Sequence, residues 1–590
     1  MSRLIGFFRQ KQNLPILVIP LLLLMWAKYG APALALMSFD SATLYAGPYR
    51  GSLPPGEQGD EIVERVILIV VDGLRHDTST RMSALNRLRS QGADRVMEVG
   101  LPSLSLPGWT VMGTGAWQEQ SGFASNFVER SVELDSMFRA AGRAGMSTMI
   151  VGTGGWEQLF GEHVDSVVEI KGPEDPYADL EGVIRQDEDI LQSALEVLQA
   201  PPDLLLVYFP GVDNAGHGWG GASLEYERVA KAVDEHIDQL VATIDLERTA
   251  VFITADHGHI NSGGHSGSET VVLEVPFVAL GMGIRPGLYG AAPQSSLAPT
   301  LAVMLGTSFP SHNQGRVLSD EIDASEALEA GRTVDNAEQL GLRVASMLSV
   351  IGAASDLDES SLEEARRALD GGDYQEAVEA AGTFMDGADR QWQDARETRL
   401  NRERLLRLPV ALALLVPAGL YVGWWRRAGW NWRIPLMAAV LYTVLWNVNY
   451  HLIQRLTYST SWFNTDETIL PFLTARVIEA LIAIVIVTLL VGIVRRNAPP
   501  GEVVRDAVHS MLAIALLLMV QILVFYVLWN VVFEWYLPDF TLGFKYYLDV
   551  FQTTVFWPLT PLPLAAVLPL LALGVARIAR LVMRGPSTAR

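Results

Sequence analysis

Five apolar runs crowd the last third of the chain, near residues 409–425, 434–453, 471–494, 509–532 and 551–576, and a sixth, LPILVIPLLLLMWAKYGAPALALM, occupies residues 14–37. At about 1.5 Å rise per residue, runs of this kind carry a helix across a bilayer core. A chain with six of them folds in and around a membrane. Arg3, Arg9 and Lys11 precede the first run, which is longer than the apolar stretch of a usual signal peptide and reads as an uncleaved anchor.

The charges give these spans a consistent orientation. With the amino end in the cytoplasm, the inside loops hold Arg426, Arg427 and Arg433, then Arg495, Arg496 and Arg505, then Arg577, Arg580, Arg584 and Arg590. The outside loops hold Asp466, Glu467, Glu534 and Asp539. The expectation is a multi-pass plasma-membrane protein of about six spans, its long region between the first two spans extracytoplasmic. Arg396, Arg399, Arg402, Arg404 and Arg407 fall outside, just before the second span; they read as a solvated helix face, with contact to anionic headgroups as the alternative. Arg476 and Glu479 lie near an end of the fourth run, where long side chains can snorkel.

The net charge of −22 is unevenly spread: from residue 408 onward there are 13 Lys/Arg against 8 Asp/Glu, and the first 407 residues carry 31 against 58. Nucleic acid is therefore not an expected partner, since phosphate backbones need a basic surface. The chain has no Cys. Disulfides, thiolate metal sites and Cys nucleophiles are excluded, leaving N and O donors for any metal chemistry.

At 590 residues the chain divides into several units: an N-terminal anchor (1–40), an α/β domain (60–322), a helical stalk (323–407) and a five-helix membrane bundle (408–590). In the second unit VILIVVDG, STMIVGTGG, DLLLVYFPG, TAVFITADHG and VPFVALG alternate with helical patterns. The stalk carries ALDGGDYQEAVEAA, which resembles one tetratricopeptide unit; a single unit forms no solenoid, and the DGGD turn predicts two antiparallel helices.

Ligands of α/β sheets gather at the carboxyl ends of strands. Asp72 ends VILIVVD, Asp213 follows LLLVYFPG, and Asp256 and His257 end VFITADH, so three separate segments converge on one rim. DNAGHG sets Asp213 and His217 four residues apart, near enough to chelate one ion from a turn, and GGHSG adds His265. Such N and O donors suit zinc, with manganese or another divalent ion as alternatives. The segment LPSLSLPGWTVMGTG offers Ser103, Ser105, Thr110 and Thr114. Pro107 suits a first helical position, which puts Ser105 just ahead of a helix whose N–H groups attract phosphate. Coordination to a divalent ion would activate its hydroxyl; an ordinary helix cap is the alternative.

These motifs together resemble the type I phosphodiesterase and nucleotide pyrophosphatase branch of the alkaline phosphatase superfamily, in particular the glycosylphosphatidylinositol ethanolamine-phosphate transferases. The resemblance runs from Arg65 to about Val317, through VDGLRHD, SLPGW, TGAWQEQSGFASN, DNAGHGWG, ADHGHINSGGHSG and APTLAVMLGTSFPSHNQGRVL. It implies an alkaline-phosphatase-like mixed sheet sandwiched by helices. It selects Ser105 over Thr110 as nucleophile, makes Asn126 the phosphate-binding Asn, and picks His265 over His259 as the last ligand. Two divalent metal ions, Zn2+ by preference, are implied: one on Asp213, His217 and His265, the other on Asp72, Ser105, Asp256 and His257. His76, His163 and His259 remain as hydrogen-bonded or solvated side chains. A sulfatase is not expected, because there is no Cys to oxidise and Trp109 stands where the Ser-type signature needs Arg.

The expected reaction is a double displacement through a phosphoseryl enzyme, with Asn126 on an equatorial oxygen. Water as acceptor makes a phosphodiesterase; a hydroxyl of a membrane lipid or lipid-linked glycan makes a transferase. A membrane-anchored phosphodiesterase for soluble nucleotides and a non-enzymatic scaffold or transporter are the competing classes. Nothing in the sequence names a protein partner.

Overall fold

The structure, a computed structural model, describes residues 25–47, 52–429, 431–528, 536–555 and 562–583. Much of the expected first span, residues 14–24, lies outside them. From Met25 the chain is helical, a π-helical turn Trp26–Gly30 leading into α1 (Ala31–Thr43).

Next come, among the described residues, the nine strands β1 (Arg65–Val71), β2 (Ala93–Glu98), β3 (Thr148–Gly152), β4 (Ser166–Glu169), β5 (Leu204–Phe209), β6 (Thr249–Thr254), β7 (Glu274–Gly281), β8 (Gly287–Leu288) and β9 (Ala292–Pro293). They form one mixed sheet in the order β4-β3-β5-β1-β6-β7-β2-β8, with β9 on β2. Strands β4, β3, β5, β1 and β6 are parallel; β7 runs against both β6 and β2. Every residue of β5 and β6 is buried, as continuous apolar runs require when helices cover both faces of a parallel sheet. β1 lies between them, pairing Val66 with Leu204 on one side and Ala250 on the other. That adjacency brings the carboxyl ends of all three to one place. The helices that bear on the site are α2 (Ser105–Thr114), α3 (Leu180–Val197), α4 (Gly211–Trp219) and α5 (Leu224–Ala242).

Beyond the sheet, α6 (Glu326–Val350), α7 (Ser360–Gly371) and α8 (Tyr374–Arg427) bury Leu340, Val344, Leu348, Leu362, Phe384 and Trp392 together. The turn at 370–373 is where DGGD places it, but a third helix joins the expected pair. No break falls near 407, because α8 continues through Pro409 and Pro417 as the second apolar run. The arginines before that run are largely spent inside the protein. Arg396 forms a two-pronged pair with Glu119 at 2.7 and 2.5 Å, Arg399 meets Glu403 at 2.8 Å, and Arg407 donates to Tyr536 Oη at 3.0 Å. Neither a solvated face nor a headgroup contact describes these three.

The remaining helices are α9 (Arg433–Asn447), extended by a π-helical segment to Ile453, α10 (Asp466–Val494), α11 (Pro500–Leu528), α12 (Phe540–Val555) and α13 (Leu562–Met583). Among the described residues four helices, α8, α9 with its extension, α10 and α11, are long and apolar enough to cross a membrane. The run at 551–576 is shared between the end of α12 and α13, with residues 556–561 outside the described set. Arg476 does not snorkel: it pairs with Glu479 at 2.5 Å and donates to Gln454 at 2.7 Å, as an intramembrane charge must when it faces other helices.

Candidate active site

The three central strands deliver the site. Asp72 follows β1, Asp256 and His257 follow β6, and Asp213 and His217 sit after β5 on α4. DNAGHG is thus helical rather than a turn, and the four-residue spacing stacks Asp213 and His217 on one helix face, 3.5 Å apart. His265 comes from the glycine-rich loop after β6, its Nε2 3.0 Å from His217 Nε2 and 3.6 Å from Asp213 Oδ1. His257 Nε2 lies 3.4 Å from Asp72 Oδ1 and 3.6 Å from Asp256 Oδ2, and its ring stacks on that of His265 with centroids 3.8 Å apart. Two overlapping donor groups result, Asp72, Asp256 and His257 on one side and Asp213, His257, His259 and His265 on the other.

Ser105 opens α2, and the cap position belongs to Leu104, which makes no side-chain capping bond. Helix capping therefore does not account for Ser105. Its Oγ instead lies 3.2 Å from His257 Nε2. Pro107 sits two residues later than expected, where its missing N–H would have had no helical partner anyway. Thr110 Oγ1 donates to Leu106 O at 2.8 Å within the buried helix, and Ser103 Oγ to Gly267 O at 3.0 Å. Asn126 Oδ1 accepts from Leu106 N at 3.1 Å, which sets the Asn at the start of α2.

His259 is the residue that sequence reasoning passed over. It is fully buried, its Nδ1 accepts from Gly264 N at 3.1 Å, and its Nε2 lies 2.7 Å from Asp213 Oδ1. A backbone N–H on Nδ1 places the ring proton on Nε2, which donates to Asp213. His259 thus orients a carboxylate, and its Nε2 has no lone pair to offer a cation in this arrangement. The HGH spacing after Asp256 was the available signal. It gave no means of choosing between the two histidines.

Three carboxylates crowd this buried space. Burial, with Asp256 and Asp213 nearby, pushes the Asp72 carboxyl well above its ordinary range, although the Tyr208 hydroxyl donates to it. Burial opposes the charge on Asp213 too, yet His217, His259 and His265 hold its carboxyl well below the usual range. Burial also lowers His265 well below an ordinary imidazole and His259 to about 4.

The donor set fits divalent cations. His265 Nδ1 donates to Ser103 O at 2.9 Å and His217 Nδ1 to Asn464 Oδ1 at 2.7 Å, so in the neutral rings both Nε2 lone pairs face each other across 3.0 Å. Donor atoms around a tetrahedral zinc with bonds of about 2.0–2.1 Å stand roughly 3.4 Å apart, near the spacings seen here. Asp72 Oδ1 is buried without a hydrogen-bond partner, as a carboxylate oxygen reserved for a cation would be.

From His217, His265 and Asn126 an apolar cavity of about 630 Å³ leads away between the α/β domain and the membrane helices. Leu36 and Phe39 of α1, Phe463, Leu473 of α10, and Phe544 and Tyr547 of α12 line it.

Residues 66–143 and 136–270 match the family described as Type I phosphodiesterase / nucleotide pyrophosphatase. The chain is 26% identical over 314 residues to the human GPI ethanolamine phosphate transferase 3, catalytic subunit, over 47% of this chain and 28% of that protein. It is 23% identical over 324 residues to the mouse GPI ethanolamine phosphate transferase 1, over 47% of this chain and 35% of that protein. It thus spans about a third of the length of these curated relatives. Among solved structures, wild-type alkaline phosphatase PafA is 12% identical with a TM-score of 0.38, over 46% of this chain and all of that one. Murine ectonucleotide pyrophosphatase / phosphodiesterase 5 is 13% identical with a TM-score of 0.34, over 42% of this chain and 96% of that one. Residues 66–270 of the α/β domain thus match the type I phosphodiesterase / nucleotide pyrophosphatase family model, and the curated relatives similar to this part of the chain are GPI ethanolamine phosphate transferases.

Proposed function

We propose that this chain is a metal-dependent phosphodiesterase or phosphotransferase that acts on a phosphodiester carried by a membrane lipid or lipid-linked glycan, through a phosphoseryl intermediate at Ser105. The cavity carries this reading. An apolar chamber that starts at Asn126, His217 and His265 and ends among α1, α10 and α12 suits a substrate with a phosphate head and a lipid tail. A soluble nucleotide would leave most of that surface unused.

Asp213, His217 and His265 would hold one divalent cation, and Asp72, Asp256 and His257, with Ser105 Oγ, a second. Bound cations, zinc by preference, would lower the pKa of the serine hydroxyl and neutralise phosphate charge. The chain supplies the rest. Trp109 fixes Asp256, His259 fixes Asp213, and the bond from Leu106 N–H fixes Asn126 at the start of α2. Ser105 Oγ attacks phosphorus and displaces the lipid or glycan alkoxide, Asn126 donates to an equatorial oxygen, and a second hydroxyl then takes the group from the serine. The site faces the extracytoplasmic side if the loop charges set the topology.

The test uses purified full-length protein. It is expected to hold about two divalent ions per chain and to cleave an aryl phosphodiester, with activity lost in Ser105→Ala. Phosphatidylethanolamine labelled in its headgroup is expected to react faster than a nucleotide diester. Label released as free phosphoethanolamine marks a hydrolase, and label on an added glycolipid marks a transferase. Metal-free, inert protein would favour a scaffold.

A further inference from the structure

The site described above also takes contacts from outside the α/β domain. Between α9 and α10 the segment 459–464 rises to the glycine-rich loop that carries His265. Asn464 Oδ1 lies 2.7 Å from His217 Nδ1, and Asn464 Nδ2 donates to the backbone carbonyl of the same His217 at 2.9 Å. Ser461 Oγ accepts from Gly267 N at 2.9 Å and donates to Glu269 Oε2 at 2.8 Å.

The close fit explains why this loop is built from glycine. A Cβ on Gly264 would lie 2.2 Å from Ser461 O, and one on Gly267 would lie 2.0 Å from Ser459 Oγ. A side chain at Gly264 would push against the backbone of the membrane segment, and one at Gly267 would displace the Ser459 and Ser461 hydroxyls. The backbone contact at Gly264, which a Cβ would bring within 3.2 Å of Asn464 Cα, places Asn464.

The two bonds to His217 also determine a protonation state. With Nδ2 committed to a carbonyl, Asn464 turns its oxygen toward the ring, and an amide oxygen only accepts. His217 Nδ1 therefore carries the proton. The lone pair of His217 is left on Nε2, which faces His265 Nε2 at 3.0 Å and Asp213 Oδ2 at 3.5 Å.

We propose that Asn464, from the membrane-spanning half of the chain, is a positioning residue of the candidate metal centre: it holds His217 in the Nδ1-protonated form and aims Nε2 at the cation. This rests on the reading of the cluster as a metal site. On this account the centre is shared between the two halves of the chain, and the membrane helices help to form it as well as to anchor it.

The experiment titrates zinc into metal-free, full-length protein in detergent against a chromophoric chelator. Asn464→Leu, similar in size but unable to accept or donate, is expected to weaken one zinc site by about 10–100-fold, the usual effect of losing such a partner. Asn464→Asp keeps an acceptor for Nδ1–H and is expected to recover most of that affinity. Ser461→Ala cuts the same segment's bonds to Gly267 and Glu269 without touching His217, and is expected to leave zinc affinity within about twofold. Where Asn464→Leu does not fold, Asn464→Ser, too short to reach the ring, is titrated with the same expectation. Zinc bound as tightly by the Leu or Ser variant as by the parent would overturn the proposal, as would an equal loss in Ser461→Ala. A parent chain that takes up no zinc would overturn the metal-site reading and this one with it; a tight parent with unaffected variants would overturn this one alone.

Discussion

Trp109 Nε1 donates to Asp256 Oδ2 across 2.7 Å at a fully buried carboxylate, while the indole stacks on Trp156 with centroids 5.1 Å apart. The pair joins α2, which carries Ser105, to the end of β6, which carries His257. Trp109→Phe would keep the stack and remove the donor. It is expected to weaken metal binding or turnover by about 10–100-fold, read by zinc titration and aryl-phosphodiester hydrolysis. Parent-like values would mean that Asp256 is oriented without it.

Gly73 permits the approach of β1 to α4. Its φ is +69°, and a Cβ there would fall 2.8 Å from Asp213 Cα. Gly73→Ala combines a left-handed backbone with a collision against a site residue. A cost of about 1–3 kcal/mol is expected, seen as a lower melting temperature, with a further loss of metal affinity because Asp213 is displaced. A variant with unchanged zinc affinity would show that the backbone absorbs the methyl elsewhere.

Asp187 on α3 is buried, and burial raises its carboxyl from 3.8 to about 8 despite the bond it accepts from Gly211 N. Between those values the folded chain holds a proton that the unfolded chain has released. Stability linked to this group is therefore greatest at the acid end and is lost as pH rises from about 4 to about 8. Asp187→Asn removes the titration, so its melting temperature is expected to exceed the parent's by more at pH 8 than at pH 5. A constant difference across that range would place the Asp187 pKa near its ordinary value.

The gathering of Asp72, Asp213, Asp256 and His257 at one rim was legible because each follows a β-like apolar run, and parallel strands present their carboxyl ends together. Strand β2 was not legible. Its sequence ADRVME alternates polar and apolar residues, and Arg95 is tolerated in the sheet because it pairs with Asp320 at 2.9 Å and with Glu321. The continuity of α8 was hidden by the change from charged to apolar composition, which alters what surrounds a helix without ending it. The part played by Asn464 was beyond reach for a different reason. It is 247 residues from His217, and no local pattern records a contact between a membrane loop and an imidazole.

The central claim is that Ser105 receives the phosphoryl group. Thr110 is the nearby rival hydroxyl, and its bond to Leu106 O commits it to the helix. The direct measurement is acid quenching of full-length protein during turnover of a phosphodiester substrate, followed by peptide mass spectrometry. The account predicts a phosphate-linked adduct on Ser105 in the parent and in Thr110→Val, and neither adduct nor turnover in Ser105→Ala. An adduct on another residue, or turnover that survives Ser105→Ala, would contradict it.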